Sequence, residues 1–179
     1  APLIELAGKT LGLIGFGQIG RKTGEIAHAF GMKVLAYSRS KTQRADFPFH
    51  WTEPDEIFRQ ADVISLHVPQ TPETTTLINQ RTLGLMKPTA FLINTARGGL
   101  VHETDLAEAL QAGRIRGAGL DVLATEPMRR DNPLLTAPNC IITPHMAWAT
   151  HEARSRCMQI TAENIAAFAA GRPQNVVNP

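Results

Sequence analysis

A doubly wound α/β fold, a parallel sheet with helices on both faces, is what this sequence of 179 residues predicts. Three observations carry the prediction. Apolar runs of strand length recur, continuous rather than alternating, as strands buried on both faces require. Helical patterns separate them, which gives parallel βαβ units with right-handed crossovers. The first apolar run breaks directly into Gly15-Phe16-Gly17-Gln18-Ile19-Gly20, and a helical pattern opens from that turn.

The elements follow in order. Residues 10–15 form the first strand, 18–30 the helix after the glycine turn, and 33–37 the second strand. A short helix is expected over 54–60, followed by a strand over 62–68. Residues 80–86 are a second short helix that ends before Pro88. A strand over 90–94 leads to a helix over 103–112, which begins after polar capping types and stops at Gly113. Strands over 117–123 and 139–143 complete the sheet. Between them "RRDNPLLTAPN" is a polar, proline-punctuated loop, with Arg129 and Arg130 on its solvated side. Residues 151–170 form one long helix with apolar Met158, Ile160, Ile165, Ala166 and Phe168, stopped by Gly171 and Pro173. The reading therefore divides the chain into a dinucleotide-binding domain over 1–150 and a C-terminal helix and tail over 151–179.

Composition narrows the class. Hydrophobic residues make up 43% of the chain and the net charge is only +2, too small to argue for a nucleic-acid partner. No run of about 20 apolar residues exists, so no membrane helix is expected. The opening "APLIELAGKT" lacks the basic and apolar regions of a secretory signal. It also lacks an initiator Met, which suggests a processed chain or one excised from something longer. Cys140 and Cys157 give neither a metal spacing nor a disulfide framework, so no metal is expected and a cytoplasmic setting follows.

Gly15-x-Gly17-x-x-Gly20 stands after a strand and before a helix, the context that makes a Rossmann-type dinucleotide site. Gly15 allows the tight turn, Gly17 lets backbone approach a pyrophosphate, and Gly20 lets helix and strand pack closely. Free N–H groups near Gln18 and Ile19, with the helix dipole, make an anion site. Such a fingerprint usually has an acid about 20 residues on, at the end of the next strand, to hold a ribose 2′-hydroxyl. Here Ser38-Arg39-Ser40 occupies that place. No carboxylate repels a 2′-phosphate, and the Arg39 guanidinium fork suits phosphate. Lys41 and Arg44 add positive charge. NADP(H) is expected in preference to NAD(H).

"NTARGGLV", "GLDVLATEP" and "ITPHMAWAT" place polar groups at strand ends, where open α/β sheets bind ligands. With "LHVPQTPETTTLI" and the glycine fingerprint, these resemble the D-isomer-specific 2-hydroxyacid dehydrogenase family over essentially the whole chain. The resemblance implies that Arg97 binds the substrate carboxylate and carbonyl, that Glu126 supports the catalytic histidine, and that this histidine is His145. It implies that Asp121 holds the nicotinamide carboxamide. His67, Val68 and Pro69 then form a cofactor wall, and Thr95, Ala96, Arg97, His145 and Ala147 also border the dinucleotide. His28, His50, His102 and His151 are read as scaffold or surface.

The residue types suit the chemistry. Hydride arriving at a 2-oxo carbon leaves alkoxide character on oxygen, and a positioned imidazolium can donate a proton there. A carboxylate neighbour favours the charged imidazole and fixes its tautomer. An arginine on the carboxylate and carbonyl is a preorganised electrostatic contact. "PHMAWATHEAR" is most similar to the glycerate dehydrogenase and hydroxypyruvate or glyoxylate reductase branch, with Trp148 narrowing the pocket towards a small acid. Members of the family have a second, N-terminal substrate domain, so this chain is expected to be the cofactor domain without it, to bind cofactor, and to turn over poorly alone. A homodimer is expected. The alternative from another class is a dinucleotide-sensing interaction protein like the family's corepressors.

Overall fold

The computed structural model describes residues 3–177. Seven strands form one sheet in which every pairing is parallel, in the order β3-β2-β1-β4-β5-β6-β7. The strands are β1 (Thr10–Ile14), β2 (Lys33–Tyr37), β3 (His50–Trp51), β4 (Val63–Leu66), β5 (Phe91–Asn94), β6 (Gly117–Leu120) and β7 (Cys140–Ile142). The helices are α1 (Gln18–Ala29), α2 (Pro54–Gln60), α3 (Gln80–Leu83), α4 (Glu103–Gln111) and α5 (His151–Ala169). Short 3-10 turns lie at Gly98–Leu100 and Pro133–Leu135.

Helices cover both faces, and the strand side chains show which helix covers which. Leu11, Leu13, Val34 and Ala36 join Ala27 of α1 in one apolar cluster, walled by Phe16, Phe47, Phe49 and Trp51. Ile14, Ile64, Leu66, Leu92 and Leu120 join residues of α2, α3 and α4 in the other. Gly12 belongs to the second face. A Cβ there would stand 2.3 Å from Ile57 Cγ2, so glycine is what lets α2 lie directly on β1.

Local chemistry sets the helix ends. Pro54 opens α2 at a position where its missing N–H costs nothing, and Asp55 and Glu56 complement the helix dipole. Asn79 and Thr82 form a reciprocal capping box on α3. Gly31 and Gly113, both at positive φ, follow α1 and α4.

Three local expectations differ from the structure. Strand β3 is absent from the sequence reading; its two residues pair with β2 through Leu35–His50 and Ala36–Trp51, too short for any periodicity to show. Helix α3 stops at Leu83 rather than at residue 86, because Gly84 caps it. Strands β4 and β6 end at Leu66 and Leu120, earlier than residues 68 and 123: His67 and Asp121 each still donate one N–H across the seam, and the chain leaves the ladder after them.

The chain divides into two compact units, Ala1–Pro144 and His145–Pro179. The second unit contains α5, whose N-cap Thr150 accepts from the Ala153 N–H. Its tail returns to the helix, where Asn175 Nδ2 donates to Asn164 Oδ1 at 2.9 Å.

Gly20→Ala is expected to destabilise the fold by about 1–3 kcal/mol through overpacking, because the new Cβ would lie 2.2 Å from the Gly15 carbonyl oxygen. Gly17→Ala, whose Cβ meets nothing within 4 Å, is expected to stay within about 0.5 kcal/mol of the parent. Urea denaturation midpoints of the two variants check this pair.

Candidate functional site: a cavity at the ends of β1, β2 and β4

The chain runs outward through β1, β2 and β3, then returns to place β4 on the other side of β1. Open α/β sheets bind ligands outside the strand C-termini at such a reversal. A cavity of about 500 Å³ lies there, walled by residues from the ends of β1, β2 and β4 and from the loop after β4. Of the residues predicted from sequence, it brings together Gly15, Gly17, Ser38, Arg39, Ser40, His67, Val68 and Pro69. Phe16, Tyr37, Gln43, Thr71, Glu73 and Thr74 also line it and are not singled out by the sequence reading.

The glycine turn is built by close backbone approach. Gly15 has φ +103°, and a Cβ there would stand 2.4 Å from the His67 carbonyl oxygen. Gly17 is the N-cap of α1, and the side with no Cβ is open. No side chain caps α1 and no acid stands in its first turn. The helix N-terminus therefore keeps its positive end available to an anion. These features fit the pyrophosphate of a dinucleotide: an open cradle at Gly17, an uncapped helix start and an adjoining cavity. Ile19 is exposed, and Gln18 lines a separate groove with Arg21, Lys22 and Arg44.

The three cations near the end of β2 separate. Arg39 lines the cavity and has no hydrogen bond or ion pair among the described residues. Lys41 Nζ instead pairs with Glu53 Oε1 at 2.6 Å. Arg44 borders other grooves, and its carbonyl accepts from Arg21 Nη1 at 3.2 Å. The expected contribution of Lys41 and Arg44 to this cavity is therefore not seen; Arg39 is the cation that lines it.

The ends of β5 and β6 carry the second group of predicted residues. Buried Asn94 closes the turn after β5: Oδ1 accepts from the Ala96 N–H at 3.0 Å and Nδ2 donates to the Arg97 carbonyl at 2.9 Å. This fixes the backbone that carries Thr95, Ala96 and exposed Arg97, whose Nη1 donates to the Ala96 carbonyl at 2.6 Å. Gly98 then presses against the loop after β6, where a Cβ would stand 1.9 Å from the Leu123 carbonyl carbon. In that loop Glu126 Oε1 accepts from the Leu123 N–H at 3.0 Å, and Glu103 Oε1 accepts from the Ala124 N–H at 2.9 Å. Arg97 and Glu126 thus stand on two loops locked together by backbone contact. Asp121 is buried and accepts from Thr143 Oγ1 at 2.6 Å. The sequence reading misses Asn94 and Glu103 as supports, although Asn94 stands within the motif it quotes.

His145 and Ala147 belong to the second unit. His145 has φ +52°, and its carbonyl accepts from Trp148 Nε1 at 3.1 Å.

His67 follows β4, and its Nε2 lies 2.9 Å from the hydroxyl of buried Ser65. Burial pushes its imidazole down to about 4. A residue neutral at physiological pH suits a wall rather than an acid–base group. In the unfolded chain the same group takes up a proton near its ordinary value of 6.5. Its contribution to stability is therefore full above about 6.5 and is lost as pH falls from there to about 4. This loss amounts to about 3 kcal/mol. His67→Gln is expected to flatten that part of the stability profile, as read from urea midpoints across the same pH range.

Comparison with known proteins agrees with this geometry. The family model for the D-isomer specific 2-hydroxyacid dehydrogenase NAD binding domain matches residues 1–147. A hydroxypyruvate reductase of Blautia hydrogenotrophica is 49% identical, over 99% of this chain and 55% of its own. A glycerate dehydrogenase of Methylorubrum extorquens is 48% identical, over 98% and 55%. Among solved structures, D-lactate dehydrogenase with NAD+ from Lactobacillus jensenii aligns with a TM-score of 0.90 at 35% identity, covering 98% of this chain and 57% of that one. An acyclic imino acid reductase in complex with NADPH and D-Arg aligns with a TM-score of 0.87 at 42% identity, covering 98% and 55%. The chain thus spans about half the length of the curated relatives it matches. On the matched domain, the parallel sheet and the glycine turn at its reversal, the chain belongs to the D-isomer-specific 2-hydroxyacid dehydrogenase family.

Proposed function

We propose that this chain is the cofactor-binding half of an enzyme that transfers hydride between a nicotinamide dinucleotide and a small 2-oxo or 2-hydroxy acid, with hydroxypyruvate or glyoxylate favoured. NADP(H) is favoured over NAD(H). The observation that carries the cofactor reading is Arg39, on the wall of the cavity with no hydrogen bond or ion pair among the described residues, where Ser38 follows β2 in place of an acid. The named relatives are reductases and dehydrogenases and lend no support to the corepressor-like alternative.

A bound dinucleotide supplies or accepts the hydride. The residues of this chain bind, orient and move a proton. The start of α1 and Gly17 take the pyrophosphate, and Ser38, Arg39 and Ser40 take the adenosine end. His67, Val68 and Pro69 wall the cavity. Thr95, Ala96, Asp121 and Ala147 border the nicotinamide end. Arg97 holds the substrate carboxylate and polarises its carbonyl, while His145 gives a proton to the developing alkoxide with Glu126 as its supporting carboxylate. Residues 1–150 act as the dinucleotide domain, and this chain alone binds cofactor with little turnover. A cytoplasmic homodimer completes the proposal. In its support, no described helix is long and apolar enough to cross a membrane, and α5 has no buried residue, leaving Met158, Ile165 and Phe168 uncovered.

Calorimetric titration tests the cofactor reading. NADPH is expected to bind more tightly than NADH; equal affinities, or tighter NADH, would sink the preference. Arg39→Ala is expected to weaken NADPH by about 1–3 kcal/mol and NADH little, the loss of a charge-assisted contact. Gly17→Ala, whose Cβ meets nothing within 4 Å in the protein, is expected to weaken both dinucleotides.

Turnover tests the catalytic roles, in the enzyme of full family length that contains this segment. His145→Ala is expected to lower kcat for hydroxypyruvate and glyoxylate by about 10²–10⁴-fold while cofactor affinity changes little. Arg97→Ala is expected to raise KM and lower kcat together. Near-parental turnover in the His145 variant would remove it from the chemistry.

A further inference from the structure

The acid missing from the end of β2 has a counterpart elsewhere on the same cavity wall. The loop after β4 brings Glu73 to the cavity that Ser38, Arg39, Ser40 and Gln43 line from the β2 side. This loop is closed on itself by threonine hydroxyls. Thr74 Oγ1 donates to the Pro69 carbonyl at 2.7 Å and accepts from the Thr71 N–H at 2.8 Å. Thr75 Oγ1 donates to the Thr71 carbonyl at 2.8 Å. The carboxylate itself is held, since Thr71 Oγ1 donates to Glu73 Oε2 at 2.7 Å. The next threonine along, Thr76, donates its N–H to the Gly99 carbonyl at 2.8 Å and ties the loop to the turn after β5. Glu73 is thus a fixed negative charge on the wall of a site expected to receive phosphate.

We propose that Glu73 is a second determinant of cofactor choice, whose carboxylate offsets the Arg39 charge and so lowers the preference for the 2′-phosphorylated dinucleotide below what Arg39 alone would give. The proposal rests on the reading that Arg39 meets the 2′-phosphate. Two physical effects act in the same direction. The carboxylate attracts the guanidinium that the phosphate needs, and it repels the phosphate directly. An unphosphorylated ribose carries no charge at that place and feels neither. The Glu73 carboxyl is held below the usual carboxylate range by the Thr71 hydroxyl first, then by its own backbone N–H and by the positive charge of Arg39. The charge therefore persists through neutral pH, on the same cavity wall as the Arg39 guanidinium.

The test is calorimetric titration of the 179-residue chain with NADPH and NADH in four forms: parent, Glu73→Gln, Arg39→Ala and the double variant. Glutamine keeps the side-chain shape and an oxygen for the Thr71 hydroxyl. The expected result is that Glu73→Gln tightens NADPH by about three- to tenfold and shifts NADH by less than about twofold. In the Arg39→Ala background the NADPH gain is expected to shrink, because the attraction of carboxylate for guanidinium is gone. Repeating the titration at about 1 M salt is expected to reduce the gain, as a Coulombic origin requires. An unchanged NADPH-to-NADH ratio in Glu73→Gln, with Arg39→Ala still selectively weakening NADPH, overturns the role of Glu73 and leaves the Arg39 reading standing. An unchanged ratio in Arg39→Ala overturns the underlying reading, and the proposal with it. A gain that persists undiminished at high salt also overturns it, by placing the effect in rearrangement of the loop.

Discussion

The seam between β1 and β4 has no room for a methyl group, and the site depends on that constraint. Beyond the two strands the pairing continues for one more residue, with the His67 N–H bonding the Ile14 carbonyl at 2.7 Å. The His67 carbonyl then occupies the place where a Cβ on Gly15 would go. Because Gly15 can turn at positive φ there, the chain leaves β1 sharply and starts α1 at once. Gly20 repeats the constraint one turn along the helix, packed on the Gly15 carbonyl. A bulkier residue at either position would move the start of α1 away from the strand ends. The helix dipole would then no longer point into the space that opens where the strand order reverses.

A similar device governs the other end of the sheet. Asn94, fully buried, spends both ends of its amide on the backbone of its own turn. A buried amide satisfied in this way is rigid, and its loss would leave two backbone groups unpaired. Gly98 then allows that turn to meet the Leu123 backbone, and Glu103 holds the second loop through Ala124 and Asn132. The loops that present Arg97 and Glu126 are consequently parts of one packed body.

Much of this was legible in the residues, for reasons that differ by feature. The glycine turn is legible because each glycine answers a backbone constraint. The strands are legible because burial on both faces leaves continuous apolar runs. Their ends are less so: Val68, Val122 and Leu123 are as apolar as the strand residues before them, yet they leave the ladder to form the crevice and loops. His50 and Trp51 make a strand only because β2 lies beside them. Among the site residues, Arg39 could be placed by its distance from the fingerprint, but Lys41 and Arg44 could not. Their separation depends on Glu53 and on the path of the loop. Glu73 reaches the same cavity from a loop far along the chain. No local pattern announces such a meeting, which arises from the strand order.

The neutrality of His67 has a consequence for how cofactor binding should respond to acid. It is the histidine in the wall of the cavity among the described residues, and it takes up a proton only near 4. The Glu73 carboxyl is held below its ordinary range and is already ionised well below neutrality. The wall therefore presents the same charge to a dinucleotide across the range in which a phosphate monoester, with a second ionisation near ~6, gains or loses a proton. Between mild acid and neutrality, the ligand is the partner whose charge changes. In that interval this wall acts as a fixed electrostatic template, and the protonation state of the 2′-phosphate is read against it.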